Sequence, residues 1–234
     1  MSFDHASPEI TGARKQEVIV IRHGQSIANA SGVWQGQLEF PLSEEGRRQA
    51  AEAGRALKQT TVSSIYASPL SRAFETAQII AREAGFPGEV VPIPGLMERH
   101  GGVLQGKIWA DQETNNPEFA RKFLALPEEE RWAFANAETD EEILGRFEEA
   151  FSEILSRHPS GDGSIIVVSH GGVMRAFLRD RFGPSVLPDH KRAANSSITR
   201  LLHDPAEDNT TLQLVELAST SHLPRVETRQ ARAE

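Results

Sequence analysis

The chain has 234 residues and no cysteine, and its 25 Lys and Arg residues against 33 Asp and Glu residues give a net charge of −8 with neutral histidines. The absence of cysteine excludes disulfides, cysteine-ligated metal sites and a thiol nucleophile. The acidic balance disfavours nucleic-acid or membrane-surface binding, and no apolar stretch approaches the roughly 18 residues of a membrane span, so the composition predicts a cytoplasmic globular protein.

Short apolar runs alternate with helical patterns in the first half of the chain. The β-branched run at 17–21 predicts a strand buried on both faces. Ser43, followed by two glutamates, predicts a helix over 44–59. Residues 63–67 predict a second strand. Ser68-Pro69 predicts the start of a helix that reaches about residue 84, and residues 89–93 predict a short third strand.

The second half continues the alternation after an irregular stretch. Short helices are predicted at 117–125 and 128–134, and the capping box from Thr139 to Glu142 predicts a helix that ends near residue 157. A buried strand at 164–168, a helix at 173–182 and a hairpin of the runs 196–202 and 211–217 at a sheet edge complete the pattern.

Strands that alternate with helices predict a mostly parallel central sheet with helices on both faces, which is a three-layer α/β/α fold. We predict a single domain over residues 17–223 with a cap inserted at about 95–137. Residues 1–16 and 224–234 are predicted to be disordered tails.

Two predicted strands end in a histidine followed by glycine. The first ends in Arg22-His23-Gly24 and the later one in Ser169-His170-Gly171-Gly172. Ligands of open parallel sheets bind outside the carboxyl ends of the strands, so both histidines are expected to face one crevice. Guanidinium groups are natural partners of a phosphoryl group, and Arg22 at the end of a buried strand needs an anionic partner. The sequence therefore indicates a phosphate site.

Further motifs follow in a characteristic order. They are Asn29, Gln35-Gly36, Pro41-Leu42-Ser43-Glu44-Glu45-Gly46, Ser68-Pro69-Leu70-Ser71-Arg72-Ala73, Met97-Glu98, Val168-Ser169-His170-Gly171-Gly172 and Asn195-Ser196-Ser197. With Arg22-His23-Gly24, this set resembles the histidine phosphatase superfamily, which includes the cofactor-dependent phosphoglycerate mutases. The resemblance spans residues 17–223 and is far more specific than an isolated Arg-His-Gly.

The resemblance implies a mechanism without a metal ion or another cofactor. His23 would be the nucleophile that forms a phosphohistidine, with its ring oriented by a backbone hydrogen bond. Arg22, Arg72 and His170 would surround the phosphoryl oxygens, and Glu98 would give a proton to the leaving group and later take one from water. The implied substrate-binding residues are Arg22, Asn29, Gln35, Gly36, Arg72, His170 and Gly171.

Departures from the mutase pattern favour a phosphatase that acts on a small phosphorylated metabolite. Gly101 stands where mutases have a substrate-binding tyrosine, and Gly171-Gly172 follow His170 as in many phosphatases. A phosphoglycerate mutase-type phosphotransferase or a sugar bisphosphatase is the alternative. A homodimer is possible, and either Lys107 or Arg121 could reach a second anionic group. The apolar side chains of the cap are expected to form its core: Phe119, Phe123, Leu124, Leu126, Trp132 and Phe134.

Two other functional classes have weaker support in the sequence. A metallohydrolase built on His23, His170 and Asp111 lacks any His-Glu-x-x-His or paired-aspartate motif. A non-catalytic module that only binds phospholigands would have lost at least one of the four core residues, and all four are present.

Overall fold

A computed structural model describes residues 15–159, 161–187, 193–204 and 211–224. The predicted tails therefore lie largely outside the described residues. The strands are β1 Gln16–Arg22, β2 Val62–Ala67, β3 Val90–Pro92, β4 Ser164–Ser169, β5 Ile198–His203 and β6 Leu212–Ser219. The helices are α1 Ile27–Ala30, α2 Glu44–Ala56, α3 Ser71–Ala84, α4 Trp109–Asn115, α5 Pro117–Ala125, α6 Glu128–Phe134, α7 Asp140–Ser156 and α8 Gly171–Phe182.

The six strands form one sheet in the order β3-β2-β4-β1-β5-β6. Strands β3, β2, β4 and β1 are parallel, whereas β5 pairs antiparallel with β1, and β6 antiparallel with β5. This confirms the mostly parallel sheet and the hairpin at its edge. Because β1 and β4 are parallel neighbours with Arg22 opposite Ser169, the residues that follow them leave the sheet side by side.

Helices cover both faces of the sheet, which confirms the three-layer α/β/α fold. Val18 and Val20 of β1 pack with α7 and α8 on one face. Ile19 and Ile21 pack with α2 and α3 on the other. This alternation explains why β1 is apolar at successive positions, since a strand buried on both faces has no solvent side.

The predicted element boundaries agree with the structure to within a few residues, but the predicted N-cap of α3 is wrong. Strand β1 begins at Gln16, which is fully buried and lies within the range that was predicted as a tail. Ser43 and Thr139 cap α2 and α7 as expected. Ser68 does not cap α3, which begins at Ser71 after an N-cap Leu70 that makes no side-chain bond. The Ser68 hydroxyl contacts a histidine of the candidate site instead.

The segment predicted as a cap carries α4, α5 and α6 above the carboxyl ends of the strands. Helices α5 and α6 have the predicted bounds, and α4 was not predicted. A small apolar cluster around Phe123 includes Trp109, Phe119 and Trp132, as expected for a cap core. Leu124 and Phe134 are instead exposed, at 52% and 38%. Among the described residues, no helix is long and apolar enough to span a membrane.

Candidate active site

The two histidines lie side by side because their strands do. His23 follows β1 and His170 follows β4, and their ring centroids are 5.0 Å apart. The backbone N–H of His23 donates to the Ser169 carbonyl oxygen at 2.9 Å, which joins the two strand ends. Both side chains are buried, with 2% and 0% of their surface exposed. The predicted crevice is therefore formed by adjacent parallel strands.

The His23 ring is held in one tautomer. Its Nδ1 lies 2.6 Å from the Gly24 carbonyl oxygen. A carbonyl oxygen can only accept, so Nδ1 carries the proton and Nε2 keeps its lone pair. Burial lowers the pKa of His23 well below its ordinary value, and the charges of Arg22 and Arg72 lower that pKa further, against the opposing effect of the Gly24 hydrogen bond. The ring is thus neutral, with its orientation fixed and its Nε2 lone pair available.

His170 is oriented by Ser68. Its Nε2 lies 2.7 Å from the Ser68 hydroxyl oxygen, which also accepts from the Leu70 backbone N–H at 3.3 Å. Burial, followed by the charge of Arg72, lowers the pKa of His170 well below its ordinary value. A neutral ring that accepts from the Ser68 hydroxyl has its proton on Nδ1. Within the described residues this buried Nδ1 has no hydrogen-bond partner, so it can donate to a bound phosphoryl oxygen.

Two arginines supply fixed positive charge next to the histidines. Arg72 on α3 is only 1% exposed, and it donates to the carbonyl oxygens of Leu38 at 2.9 Å and Gly36 at 2.7 Å. Its buried Nε has no partner in the described part of the chain. Burial lowers the pKa of Arg72 from its ordinary value, but a guanidinium remains charged at neutral pH. Arg22 donates to the Ala193 carbonyl oxygen at 2.6 Å.

Helix α1 and the loop that follows it contribute amide groups, from Asn29 and Gln35 respectively. The Asn29 Oδ1 accepts from the Ser26 backbone N–H at 3.1 Å and from the Asn195 side chain at 3.2 Å. The Gln35 Oε1 accepts from the Ser26 hydroxyl at 2.7 Å. Because both carbonyl oxygens are engaged, the NH₂ groups of Asn29 and Gln35 are the ends that remain for an anion. Gly36 contributes the carbonyl that holds Arg72.

Glu98 comes from the cap segment and rests on the N-terminus of α8. Its carboxylate accepts backbone hydrogen bonds from Gly172 at 2.9 Å, Val173 at 3.0 Å and Arg99 at 2.8 Å. The positive end of the α8 dipole favours an anion at this point. On the other side, Arg146 of α7 donates to the Glu98 carbonyl oxygen at 3.0 Å. Both the backbone and the side chain of Glu98 are therefore fixed.

Most of these groups line a cavity of about 210 Å³, whereas His170 is fully buried against the His23 ring and is not part of the lining. Its lining includes the predicted residues Arg22, His23, Asn29, Gln35, Gly36, Arg72 and Glu98. The predicted Gly171 lies directly behind, where a Cβ atom would be 3.0 Å from the Arg22 Nε. Neither Lys107 nor Arg121 is in the lining, and neither is Asp111. Among the described residues, no group of three His, Asp or Glu side chains could hold a metal ion.

Several site residues were not predicted as such from the sequence. Trp34, Arg99, Trp132 and Arg175 line the cavity, and Ser68 orients His170. Arg99 was visible only as the neighbour of Glu98, and Trp132 as an apolar residue of the cap. No local pattern marks Arg175, because it reaches the site only when α8 packs beneath the cap.

Comparison with known proteins identifies the family. The histidine phosphatase superfamily (branch 1) matches residues 18–216. A metal-independent phosphoserine phosphatase of Arabidopsis thaliana is 38% identical over 165 residues, which are 70% of this chain and 68% of that protein. Phosphoglycerate mutase-like protein 4 of the same plant is 38% identical over 180 residues, 72% of each chain.

A solved structure shows the same fold. The native structure of mycobacterial glucosyl-3-phosphoglycerate phosphatase superposes with a TM-score of 0.74 at 25% sequence identity, and the match covers 88% of this chain and 100% of that one.

Proposed function

We infer that this chain, which belongs to the histidine phosphatase superfamily and is a phosphomonoester hydrolase, uses His23 as its nucleophile. The observation that supports this role is the His23 ring: buried, neutral, and held through Nδ1 by the Gly24 carbonyl oxygen. Because Nδ1 carries the proton, Nε2 is the ring nitrogen whose lone pair can attack phosphorus. Arg22 and Arg72, in the same cavity wall, supply the charge that attracts a phosphate group.

In the first step, the Nε2 atom of His23 attacks phosphorus, and the bond from phosphorus to the ester oxygen breaks. Protonated Glu98 gives its proton to the departing oxygen. The Glu98 Oε2 accepts one backbone hydrogen bond, whereas Oε1 accepts two, so Oε2 has more capacity to carry that proton. The product alcohol leaves, and the phosphoryl group stays on His23.

In the second step, Glu98 takes a proton from water, and the water oxygen attacks phosphorus. The bond from phosphorus to Nε2 breaks, inorganic phosphate is released and neutral His23 is restored. In both steps charge on the phosphoryl oxygens is stabilised by Arg22, Arg72 and the Nδ1–H of His170. The NH₂ groups of Asn29 and Gln35 complete the set of donors.

The substrate is a small phosphorylated metabolite. A cavity of about 210 Å³ is below the usual range of about 300–1,000 Å³ for drug-sized ligands. The names of the relatives give phosphoserine and glucosyl-3-phosphoglycerate as their substrates, both of them small phosphate esters. Gly101 lies in the cavity wall and contributes no side chain, which leaves room for water and favours hydrolysis over transfer.

The enzyme is expected to act in the cytoplasm and to bind neither nucleic acid nor membrane surfaces. The net charge of −8 supports this expectation, because polyanions are repelled by an acidic surface. A homodimer stays a prediction.

Steady-state kinetics with an aryl phosphate tests the assignment. His23→Asn is expected to abolish turnover, and Arg72→Met to reduce it by about 10²- to 10³-fold, since a lost transition-state donor costs that much. Arg47→Met is the control, because Arg47 is an exposed arginine paired with Glu75 on the outer surface of α2. Turnover by His23→Asn at the original rate would refute the proposed nucleophile.

A further inference from the structure

One motif of the sequence has no part in the chemistry described above. Asn195-Ser196-Ser197 lies in a turn just before β5, and Asn195 is not among the residues that line the cavity. We propose that Asn195 is a positioning residue, which fixes the backbone of His23 and the side-chain amide of Asn29 together, in a turn that His222 holds in place. This inference rests on the proposed function, because it takes His23 as the nucleophile and Asn29 as a donor to the phosphate group.

The Asn195 side chain bridges these two residues through its NH₂ group. The Asn195 Nδ2 donates to the His23 carbonyl oxygen at 3.0 Å and to the Asn29 Oδ1 at 3.2 Å. A backbone carbonyl oxygen can only accept, which identifies this end of the Asn195 amide as the donor. The Asn29 atom that it meets must then be the acceptor oxygen. The Ser26 backbone N–H, which donates to the same Oδ1 at 3.1 Å, requires the same orientation.

This bridge determines which end of the Asn29 amide is offered to a phosphate group. Asn29 lines the cavity together with His23. The two ends of a side-chain amide have similar shapes, but one donates and the other accepts, so a half-turn of the amide would present an oxygen to the anion. With two donors on Oδ1, that rotation would break two hydrogen bonds. Asn195 therefore helps to keep the NH₂ group of Asn29 available to the anion.

The same turn holds the backbone at the end of β1. The Ser196 N–H donates to the carbonyl oxygens of Arg22 at 3.0 Å and His23 at 3.3 Å, and the Arg22 N–H donates to the Ser197 carbonyl oxygen at 3.3 Å. Ser196 has a φ of 54°, a left-handed conformation that residues other than glycine rarely adopt. Such a conformation persists where the surrounding structure imposes it, and it occurs often at functional sites. The turn is thus shaped to fit against the nucleophile segment.

His222 supports the turn from its other side. The chain returns to this point after β6, and the His222 Nε2 lies 3.0 Å from the Ser196 carbonyl oxygen. Because the carbonyl oxygen accepts, the His222 Nε2 carries the proton and donates it. The His222 side chain is half-buried. A line of contacts therefore runs from His222 through the turn to His23 and Asn29, and neither His222 nor Asn195 lines the cavity.

The first test measures catalysis and phosphate binding in Asn195→Ala. We expect kcat/KM for an aryl phosphate to fall by about tenfold, the effect of about one hydrogen bond. The inhibition constant for inorganic phosphate should rise by about three- to tenfold, because the Asn29 amide is less firmly oriented. Thr199→Val is the matched control, since the Thr199 hydroxyl of β5 accepts from the Ala218 backbone N–H at 3.0 Å and has no contact with the turn among the described residues. This control should lower the free energy of unfolding and leave both kinetic constants within about twofold.

A double-mutant cycle shows whether Asn195 acts through Asn29. Asn29→Ala removes the donor itself and should weaken binding of inorganic phosphate. Adding Asn195→Ala to Asn29→Ala should then change that inhibition constant by no more than about twofold, because the amide that Asn195 orients is already absent. A side chain that only stabilised the fold would instead weaken phosphate binding by the same factor in both backgrounds.

A pair of variants at His222 tests the same line of contacts from the opposite side of the turn. His222→Leu removes the donor to Ser196 and should reduce kcat/KM by about three- to tenfold. His222→Gln offers an amide N–H in place of the Nε2–H and should recover most of that loss. Because these variants leave Asn195 unchanged, they test the inference even if Asn195→Ala does not fold.

The inference is overturned if Asn195→Ala leaves both constants unchanged, if Thr199→Val reduces them equally, or if the two asparagine substitutions weaken phosphate binding additively. Full activity of His222→Leu, or an equal loss in His222→Gln, would contradict the role of His222. In each of these cases a phosphoryl group trapped on His23 of the wild-type enzyme would still support the proposed function. Failure to trap that group in the wild-type enzyme would instead contradict the proposed function itself.

Discussion

Replacing Gly172 with alanine should disable Glu98 without unfolding the protein. A Cβ atom at this position would lie 2.4 Å from the Glu98 Oε1, and no real contact is that short. The backbone of Gly172 is helical, so alanine brings no conformational strain. The Glu98 carboxylate, although held by hydrogen bonds, ends a rotatable and only partly buried side chain, whereas Gly172 belongs to the α8 backbone, so the carboxylate is the group that moves.

The size of the effect follows from the displacement. Oε1 must retreat by about 1 Å to reach the 3.4 Å of an ordinary contact. A displacement of about 1 Å can reduce catalysis by about 10²-fold, and complete loss of a general acid by about 10²- to 10⁴-fold. We expect kcat for an alkyl phosphate to fall by about 10²-fold. The first step with an aryl phosphate, followed as the burst of released phenol, should slow much less, because its leaving group needs little protonation.

Gly145→Ala provides the control. Gly145 lies in the interior of α7, and no atom lies within 4 Å of a Cβ built there. Alanine at this position should raise the free energy of unfolding by about 0.5–1 kcal/mol and leave kcat unchanged. The reasoning is refuted if Gly172→Ala keeps full activity on the alkyl phosphate, or if the first steps with alkyl and aryl phosphates are slowed equally.

Three further predictions concern groups that position the site. Because burial lowers the pKa values of His23 and His170, the unfolded chain binds protons below about pH 6.5 that the native protein does not. Acid therefore lowers the free energy of unfolding by up to about 1.4 kcal/mol per pH unit for each histidine. Urea denaturation between pH 7 and pH 5 should show that the free energy of unfolding of His170→Asn changes less with pH than that of the wild-type protein. Ser68→Ala removes the bond that orients His170, and stopped assays should show kcat reduced by about tenfold with little change in KM. Arg146→Met frees the Glu98 carbonyl oxygen and should slow the first step with alkyl phosphates more than the burst of phenol released from an aryl phosphate, whereas Arg157→Met, on an exposed ion pair, should change neither rate.

The elements that the sequence predicts well are those determined by local signals. Helices α5 and α6 begin at or just after a proline and have the predicted bounds. Helix α4 has no capping side chain, and it is stabilised by the contact between Trp109 and Phe123, whose ring centroids are 5.2 Å apart. Such a contact between separate helices leaves no periodic pattern, and for that reason α4 was not predicted.

The candidate site also contains some residues that the sequence could place and others that depend on tertiary contacts. His23 and His170 could be placed together because parallel strands end at the same edge of a sheet. Ser68 was expected to cap a helix, but it bonds to His170, a residue 102 positions away. Arg175 reaches the cavity only after α8 packs against the cap. Pairings of this kind depend on tertiary structure, and neither spacing nor composition reveals them.

The central claim is that His23 carries the phosphoryl group. Rapid quenching with a ³²P-labelled or mass-resolved aryl phosphate, followed by peptide mapping at alkaline pH, tests this most directly. We predict an acid-labile phosphoryl group on the peptide that contains His23, formed in the wild-type enzyme and absent from His23→Asn. Trapping should increase in Gly172→Ala, because a displaced Glu98 slows the attack of water more than the first transfer from an aryl phosphate. Label on another residue, or full turnover of the wild-type enzyme with no label under single-turnover conditions, would contradict the account.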